Sequence, residues 1–428
     1  MRKYLIIILL ALFSQYAIAD TNIPVKQNIV NYIDQNQAAA VQLLTQLVNI
    51  NSQTTNLQGV RAVGNILQQQ LNTLGFKTYW VNLPKDMQRA GNLFAVKEGN
   101  SGKRLLLIGH LDTVFPANVM QPSFQLISKQ QAKGVGVVDM KGGDVVMLYA
   151  LKALQAVHAL GNATIIVALM GDEENSGKPT SVSRQHLMDL AKQSDVALDF
   201  ESGPPSIGRR GISGWQLDVQ GKQGHSSLIF QPAMGAGAIF AGAYILNNFR
   251  EQLSHIPDVT FNPGLILGGT QMNYDQSAAS GTASGVKNVI ADKLIAIGDL
   301  RYLTDAEKKQ AEQRMQTIIQ DNLPQTSANI TFKDIIPDMP PTKQNQQLMQ
   351  QLNTINETLG YGPIKILDPK LRGAGDISFI AALVPAGLAG LGPIGQHEHS
   401  TQETIDLTSL PMATKRDALL IYSLIKPF

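Results

Sequence analysis

Three uninterrupted apolar stretches in this chain each run into residues that can bind a cation. Leu105 to Ile108 lead to Gly109-His110, Ile165 to Met170 lead to Gly171-Asp172-Glu173-Glu174, and Val196 to Leu198 lead to Asp199-Phe200-Glu201. An apolar run without polar alternation suits a strand buried on both faces, and such strands belong to sheets covered by helices on both sides. Arg104 to Gly109, Ala163 to Met170 and Val196 to Phe200 are therefore predicted strands, with Lys141 to Ala159 as a crossover helix. The fold class that follows is an α/β domain with a mostly parallel central sheet. In such sheets reactive groups sit just past the carboxyl ends of the strands, where His110, Glu173, Glu174 and Glu201 fall.

The rest of the chain divides around this core. From Gln27 to about Leu74 apolar residues such as Val41, Leu44, Leu47 and Val48 recur at helical spacing. Near Gly211 the texture changes. Trp215 to Val219 alternates like an amphipathic strand, Met234 to Arg250 is helical, Leu294 to Arg301 is a strand, and a helix runs from Thr304 to Asn322. A strand, helix, strand, strand, helix, strand order would make a small α+β insert of ferredoxin-like type. Pro337, Pro340 and Pro341 mark the return to the first domain, with a helix from Gln344 to Leu359 and a small, apolar segment from Ser378 to Leu391. The expected boundaries are 20–210 and 334–428 for the two parts of the first domain and 211–333 for the insert.

The motifs His110-Leu111-Asp112-Thr113, Val138-Asp139-Met140-Lys141-Gly142-Gly143, Gly171-Asp172-Glu173-Glu174, Phe200-Glu201 and His399-Ser400 occur in that order. Together they hold every group that a site for two zinc ions requires. Two cations about 3.5 to 4 Å apart need roughly five deprotonated carboxylates and neutral imidazoles converging on one point. Asp112 is placed to hydrogen-bond the other imidazole nitrogen of His110 and fix its tautomer. Of the adjacent Glu173 and Glu174, one as ligand and the other as general base is the natural division, because two bare carboxylates repel. Each motif alone has an ordinary explanation. Asp139 could cap the helix near Lys141, the Glu pair could be a solvated turn, Glu201 an exposed strand-end acid, and either His397 or His399 part of a surface turn.

Composition sets the address and excludes partners. Arg2 and Lys3, an apolar run from Tyr4 to Phe13 and Ala17-Ile18-Ala19 before Asp20 have the layout of a cleavable secretory leader over residues 1–19. The run is too short for a permanent span, so a periplasmic or secreted protein without a stable membrane anchor is expected. The chain has 35 Lys and Arg against 33 Asp and Glu, and loss of Arg2 and Lys3 with the leader brings these into balance. Nothing in that balance suggests nucleic acid as a partner. With no cysteine in the chain, disulfides and thiolate zinc ligands are both excluded.

The ordered motif set resembles the M20 family of zinc peptidases and amidohydrolases, and within it the carboxypeptidase G2-type enzymes, over nearly the whole chain after the leader. On matching positions the resemblance implies that His110 ligates one zinc, Asp139 bridges two, Glu174 and Glu201 ligate, His399 ligates the other zinc and Glu173 is the base. It implies a non-proline cis bond from Asp139 to Met140. It also implies that His225, in Gly224-His225-Ser226, reaches the substrate across a homodimer interface made by the insert, that Asn288 and Arg301 bind substrate, and that Arg372-Gly373-Ala374-Gly375-Asp376 is the glycine-rich substrate loop. Arg301 by itself could be a strand-exposed ion-pair residue. A second basic residue for a glutamate side chain has only the candidates Arg209, Arg210 and Arg372. The implied activity is release of a C-terminal amino acid, glutamate favoured, from an N-acyl amino acid or small peptide. The alternatives are a deacylase, desuccinylase or dipeptidase of the same family, or a non-catalytic zinc- or peptide-binding module on this scaffold.

Overall fold

The computed structural model describes residues 22–115, 123–276, 280–371 and 373–426. The expected secretory leader, residues 1–19, and Arg372 lie outside the described residues. Among the described residues no helix is long and apolar enough to cross a membrane.

The central sheet has six strands in the spatial order Lys77–Val81, Asn92–Lys97, Ala163–Met170, Ser101–His110, Val196–Asp199 and Ala386–Leu388. The first two pair antiparallel with each other, Asn92–Lys97 pairs antiparallel with Ala163–Met170, and the remaining pairings are parallel. The mostly parallel α/β core is thus present, with an antiparallel edge. That edge is not assigned from the sequence, although Leu93 to Val96 is an apolar run as long as Leu105 to Ile108. In the central strand Leu105, Leu106 and Leu107 are wholly excluded from water and Ile108 nearly so. Burying a side chain of this size contributes about 1.5–3 kcal/mol, so the apolar runs are the main anchor of the sheet. On one face of the sheet, helices Lys141–Ala156 and Ser409–Ile425 pack side by side against the central strand, and helix Asn22–Gln35 packs against both.

The long helical pattern before Leu74 resolves into three helices, Asn22–Gln35, Gln37–Val48 and Leu57–Thr73. Asn36 bends the first junction by bonding its side chain back to the Tyr32 carbonyl. Asn56 caps the third helix, accepting from the Gly59 amide at 3.1 Å. Periodicity alone does not register such polar interruptions.

A second, four-stranded antiparallel sheet runs in the order Ser327–Ile336, Gly211–Gln220, Lys293–Tyr302 and Thr260–Gly269. Burial alternates strictly along Gly211–Val219, and Trp215, Leu217 and Val219 point into a core shared with helices Gly237–Leu253 and Asp305–Ile318. Helix Asp305–Ile318 begins with a reciprocal cap between Thr304 and Glu307. The element order is the expected strand, helix, strand, strand, helix, strand, with a further hairpin, Gln271–Asp275 and Ser280–Ser284, added before the third strand. The strand Ser327–Ile336, which the sequence left unassigned, completes it.

Candidate metal centre and active site

The carboxyl ends of the central strands gather the acidic and imidazole groups. His110 is the last residue of its strand and its side chain is buried. Asp139 lies in the loop before helix Lys141–Ala156, and the Asp139–Met140 peptide is cis. Its side chain does not cap that helix, whose N-cap is Met140 with no side-chain bond. Instead its two oxygens divide: Oδ1 is 3.2 Å from His110 Nε2, and Oδ2 is 2.9 Å from His399 Nε2. Glu201 Oε1 lies 3.5 Å from the same His110 nitrogen, and Glu174 Oε2 lies 3.3 Å from His399 Nε2. Two triads result, His110, Asp139 and Glu201 on one side and Asp139, Glu174 and His399 on the other, with the candidate donor atoms of each triad within 4.8 Å of one another. Of the two histidines in the late segment, His399 joins the cluster.

The loop that presents Asp139 is held from below by a residue to which the sequence reading assigned no role. Glu403 accepts from the Gly136 amide at 2.7 Å, the Val138 amide at 2.8 Å and the Asp139 amide at 3.0 Å. Burial pushes its carboxyl up to about 7 against the pull of those three amides. Close packing is allowed by glycine: a Cβ on Gly143 would stand 1.9 Å from the Phe200 carbonyl oxygen, so the start of the helix can press against the strand end that carries Glu201.

Asp112 differs in part from expectation. The close acceptor for His110 Nδ1 is the Asp112 main-chain carbonyl at 3.0 Å, while its carboxylate stands 3.5 Å away. That carboxylate accepts from the Glu173 amide at 3.1 Å, the Glu174 amide at 3.2 Å and the Thr54 hydroxyl at 2.7 Å. Its main contact is therefore with the turn that carries both glutamates. The same turn is tied from the other side by Arg184, fully buried, which bonds Asp172 at 2.7 Å and Asp376 at 2.6 Å. No sequence signal marks Arg184, because its partners are distant in the chain.

A cavity of about 180 Å³ opens onto the cluster, lined by Asp139, Glu173, Glu174, Glu201 and His399 together with Ser202, Arg209, Gly373, Ala374 and Glu398. Gly373 thus faces the cavity. Burial pushes the Glu173 carboxyl well above its usual range, with Glu201, Asp376 and Glu174 adding repulsion. Burial likewise raises Glu174 to about 7 against the bond from His399. Burial opposes a charge on His110, yet its bonds to Asp112, Asp139 and Glu201 raise it well above the usual imidazole range. Bonds to Asp139 and Glu174 push His399 up to about 11. So many carboxylates facing two imidazoles is the charge pattern of a site that fits divalent cations.

The insert's three residues stand apart from this cavity. His225 is exposed, with Nδ1 2.7 Å from the Ser227 hydroxyl, and it bridges to Val289 beside Asn288, whose carbonyl accepts from the Ser226 amide at 2.8 Å. Arg301 pairs with Asp299 on its own strand at 2.8 Å. Arg210 bonds Thr260, whereas Arg209 is buried in the cavity wall, with Nη1 on the Ala374 carbonyl at 3.0 Å and Nη2 3.4 Å from Asp199.

A sheet end bearing two carboxylate-imidazole groups that share one aspartate defines a metal-dependent hydrolase. The chain belongs to peptidase family M20/M25/M40, whose model matches residues 106–423. It is similar to carboxypeptidase G2 from Pseudomonas sp. (strain RS-16), 27% identical over 91% of this chain and 90% of that protein. It is also similar to succinyl-diaminopimelate desuccinylase from Pelagibacter ubique (strain HTCC1062), 24% identical over 88% of this chain and 96% of that one. Among solved structures it shares the fold of the Bacillus subtilis YXEP protein, a dinuclear metal-binding peptidase of the M20 family. The TM-score there is 0.63 at 13% identity, over 92% of this chain and 99% of that chain.

Proposed function

We propose that the chain is an exported two-zinc hydrolase that cleaves an amide next to a free carboxylate and releases a C-terminal amino acid, glutamate favoured, from an N-acyl amino acid or small peptide. One observation carries this reading: Asp139 offers Oδ1 to the His110 group and Oδ2 to the His399 group. His110, Asp139 and Glu201 would hold one cation, and Asp139, Glu174 and His399 the other, an all nitrogen and oxygen donor set that suits zinc. When bound, such a pair supplies Lewis-acid polarisation of the scissile carbonyl and acidifies water.

Glu173 lines the cavity and belongs to neither triad, which leaves it for proton transfer. It would take a proton from the attacking water and return it to the leaving amine. Asp112 keeps it in place through the amides of the glutamate turn. His225, with Asn288 beside it, would donate to the developing oxyanion from a second subunit, since in its own chain it does not line the cavity. Arg301 would grip the free carboxylate, and Gly373 would let the substrate pass close to the loop backbone.

Self-association through the insert is supported by exposed Ile239, Phe240 and Tyr244 on helix Gly237–Leu253 and by Ile266 on the edge strand Thr260–Gly269. Ile239 packs on Gly268, which makes the patch continuous. Export rests on the leader-like layout of residues 1–19.

The test is hydrolysis, by the zinc-loaded protein lacking the leader, of N-acyl Glu, Asp, Ala, Leu and Arg, each with a free and an amidated C-terminus. Cleavage confined to the free carboxylates is expected, fastest for glutamate. Equal cleavage of the amides, or none of any pair with two zincs bound, would overturn the reading.

A further inference from the structure

Once the two triads and Glu173 are set aside, the polar side chains left on the cavity wall among the described residues are Ser202, Arg209 and Glu398. The charge of Arg209 is already directed elsewhere, toward Asp199 and the Ala374 carbonyl. Glu398 is held at the cavity instead. The Ser202 hydroxyl donates to its Oε1 at 2.6 Å, and its Oε2 has no hydrogen-bond partner among the described residues. The backbone on both sides is fixed: His397 and His399 take φ of +61° and +60°, and the Ser400 amide and hydroxyl both bond the His397 carbonyl, at 3.2 and 2.8 Å. No lysine or arginine among the described residues pairs with Glu398.

We propose that Glu398 is a specificity-determining residue that selects substrates bearing an ammonium group on the acyl side of the scissile amide, a dipeptide or aminoacyl amino acid in preference to its neutral acyl counterpart. The inference rests on the hydrolase reading above. The carboxylate of the leaving amino acid needs a cation and is repelled by Glu398, so this fixed negative charge acts on the other half of the substrate. A carboxylate with one oxygen already anchored by a hydroxyl presents the second at a set position, and a charge-assisted hydrogen bond to an ammonium is stronger than a neutral one.

The experiment compares kcat/KM of the zinc-loaded protein on glutamate conjugates that differ only in the acyl group: alanyl against isobutyryl, β-alanyl against butyryl, and succinyl. An ammonium-bearing member should be favoured over its neutral isostere by about tenfold, with succinyl slowest. In Glu398→Gln the ratio should fall to near one, and Ser202→Ala should lower it part of the way. Calorimetric binding of the same compounds to zinc-loaded Glu173→Ala should rank them in the same order. An unchanged ratio in Glu398→Gln, or a preference for butyryl or succinyl, would overturn the proposal. If nothing is turned over with both zincs bound, the hydrolase reading fails, and the binding ranking still decides the role of Glu398.

Discussion

The ligand cluster and the insert are built on opposite principles. At the cluster, His110 is buried at a strand end, Asp139 is held by three loop amides bonded to Glu403, and the glutamate turn is tied down by Asp112 and Arg184. On the insert, His225 and Asn288 are exposed, and Arg301 is engaged by a neighbour on its own strand. Groups that must meet one small cation need supporting contacts that hold them to a fraction of an ångström. Under the proposed function, groups that meet a variable substrate would wait at the surface of a separate sheet until a second subunit or the substrate arrives.

Three experiments break or sharpen that contrast. Glu173→Ala should retain two metal ions per chain and lose about 10²–10⁴-fold in kcat, with metal content read by elemental analysis. Loss of metal would make Glu173 part of the rigid cluster rather than its proton carrier. His225→Ala should lower kcat by about 10²–10³-fold at unchanged metal content. Mixing it with inactive Glu173→Ala should restore activity in mixed dimers, where one cavity has both an intact Glu173 and an intact His225. Failure to complement would place the action of His225 within its own chain.

The smallest effect concerns protons. Carboxylate contacts raise His110 and His399, so the metal-free cluster keeps imidazole protons at neutral pH that ligation must displace. Zinc binding should release protons, and affinity should weaken by about tenfold per displaced proton for each unit of acidification below neutrality. Titration calorimetry in buffers of different ionisation enthalpy reads the release, and an affinity independent of pH between 6 and 8 would sink the expectation. The exposed His225 should contribute nothing to that dependence.

The ligand-bearing strands were legible because burial on both faces forces an uninterrupted apolar run, and His110, Glu174 and Glu201 announce themselves at the ends of such runs. The antiparallel edge, Lys77–Val81 and Asn92–Lys97, was not assigned, and no motif of the cluster follows either strand to draw attention to it. Glu403 appeared in the sequence as an acid four residues after His399, but only folding brings it under the Gly136 to Asp139 loop. Arg184 is silent in the sequence for the same reason: it joins Asp172 to Asp376, 192 residues apart from its second partner.

By itself the sequence determined the α/β class, the order of the ligand motifs and the absence of thiolate chemistry, because strand burial and donor type are written in local composition. Only the tertiary structure decided that Asp139 splits its two oxygens between two imidazoles, that Asp112 turns its carboxylate to the glutamate turn, and that Glu398 faces the cavity. Those choices depend on where side chains from distant strands and loops converge, and convergence is a property of packing rather than of any single segment.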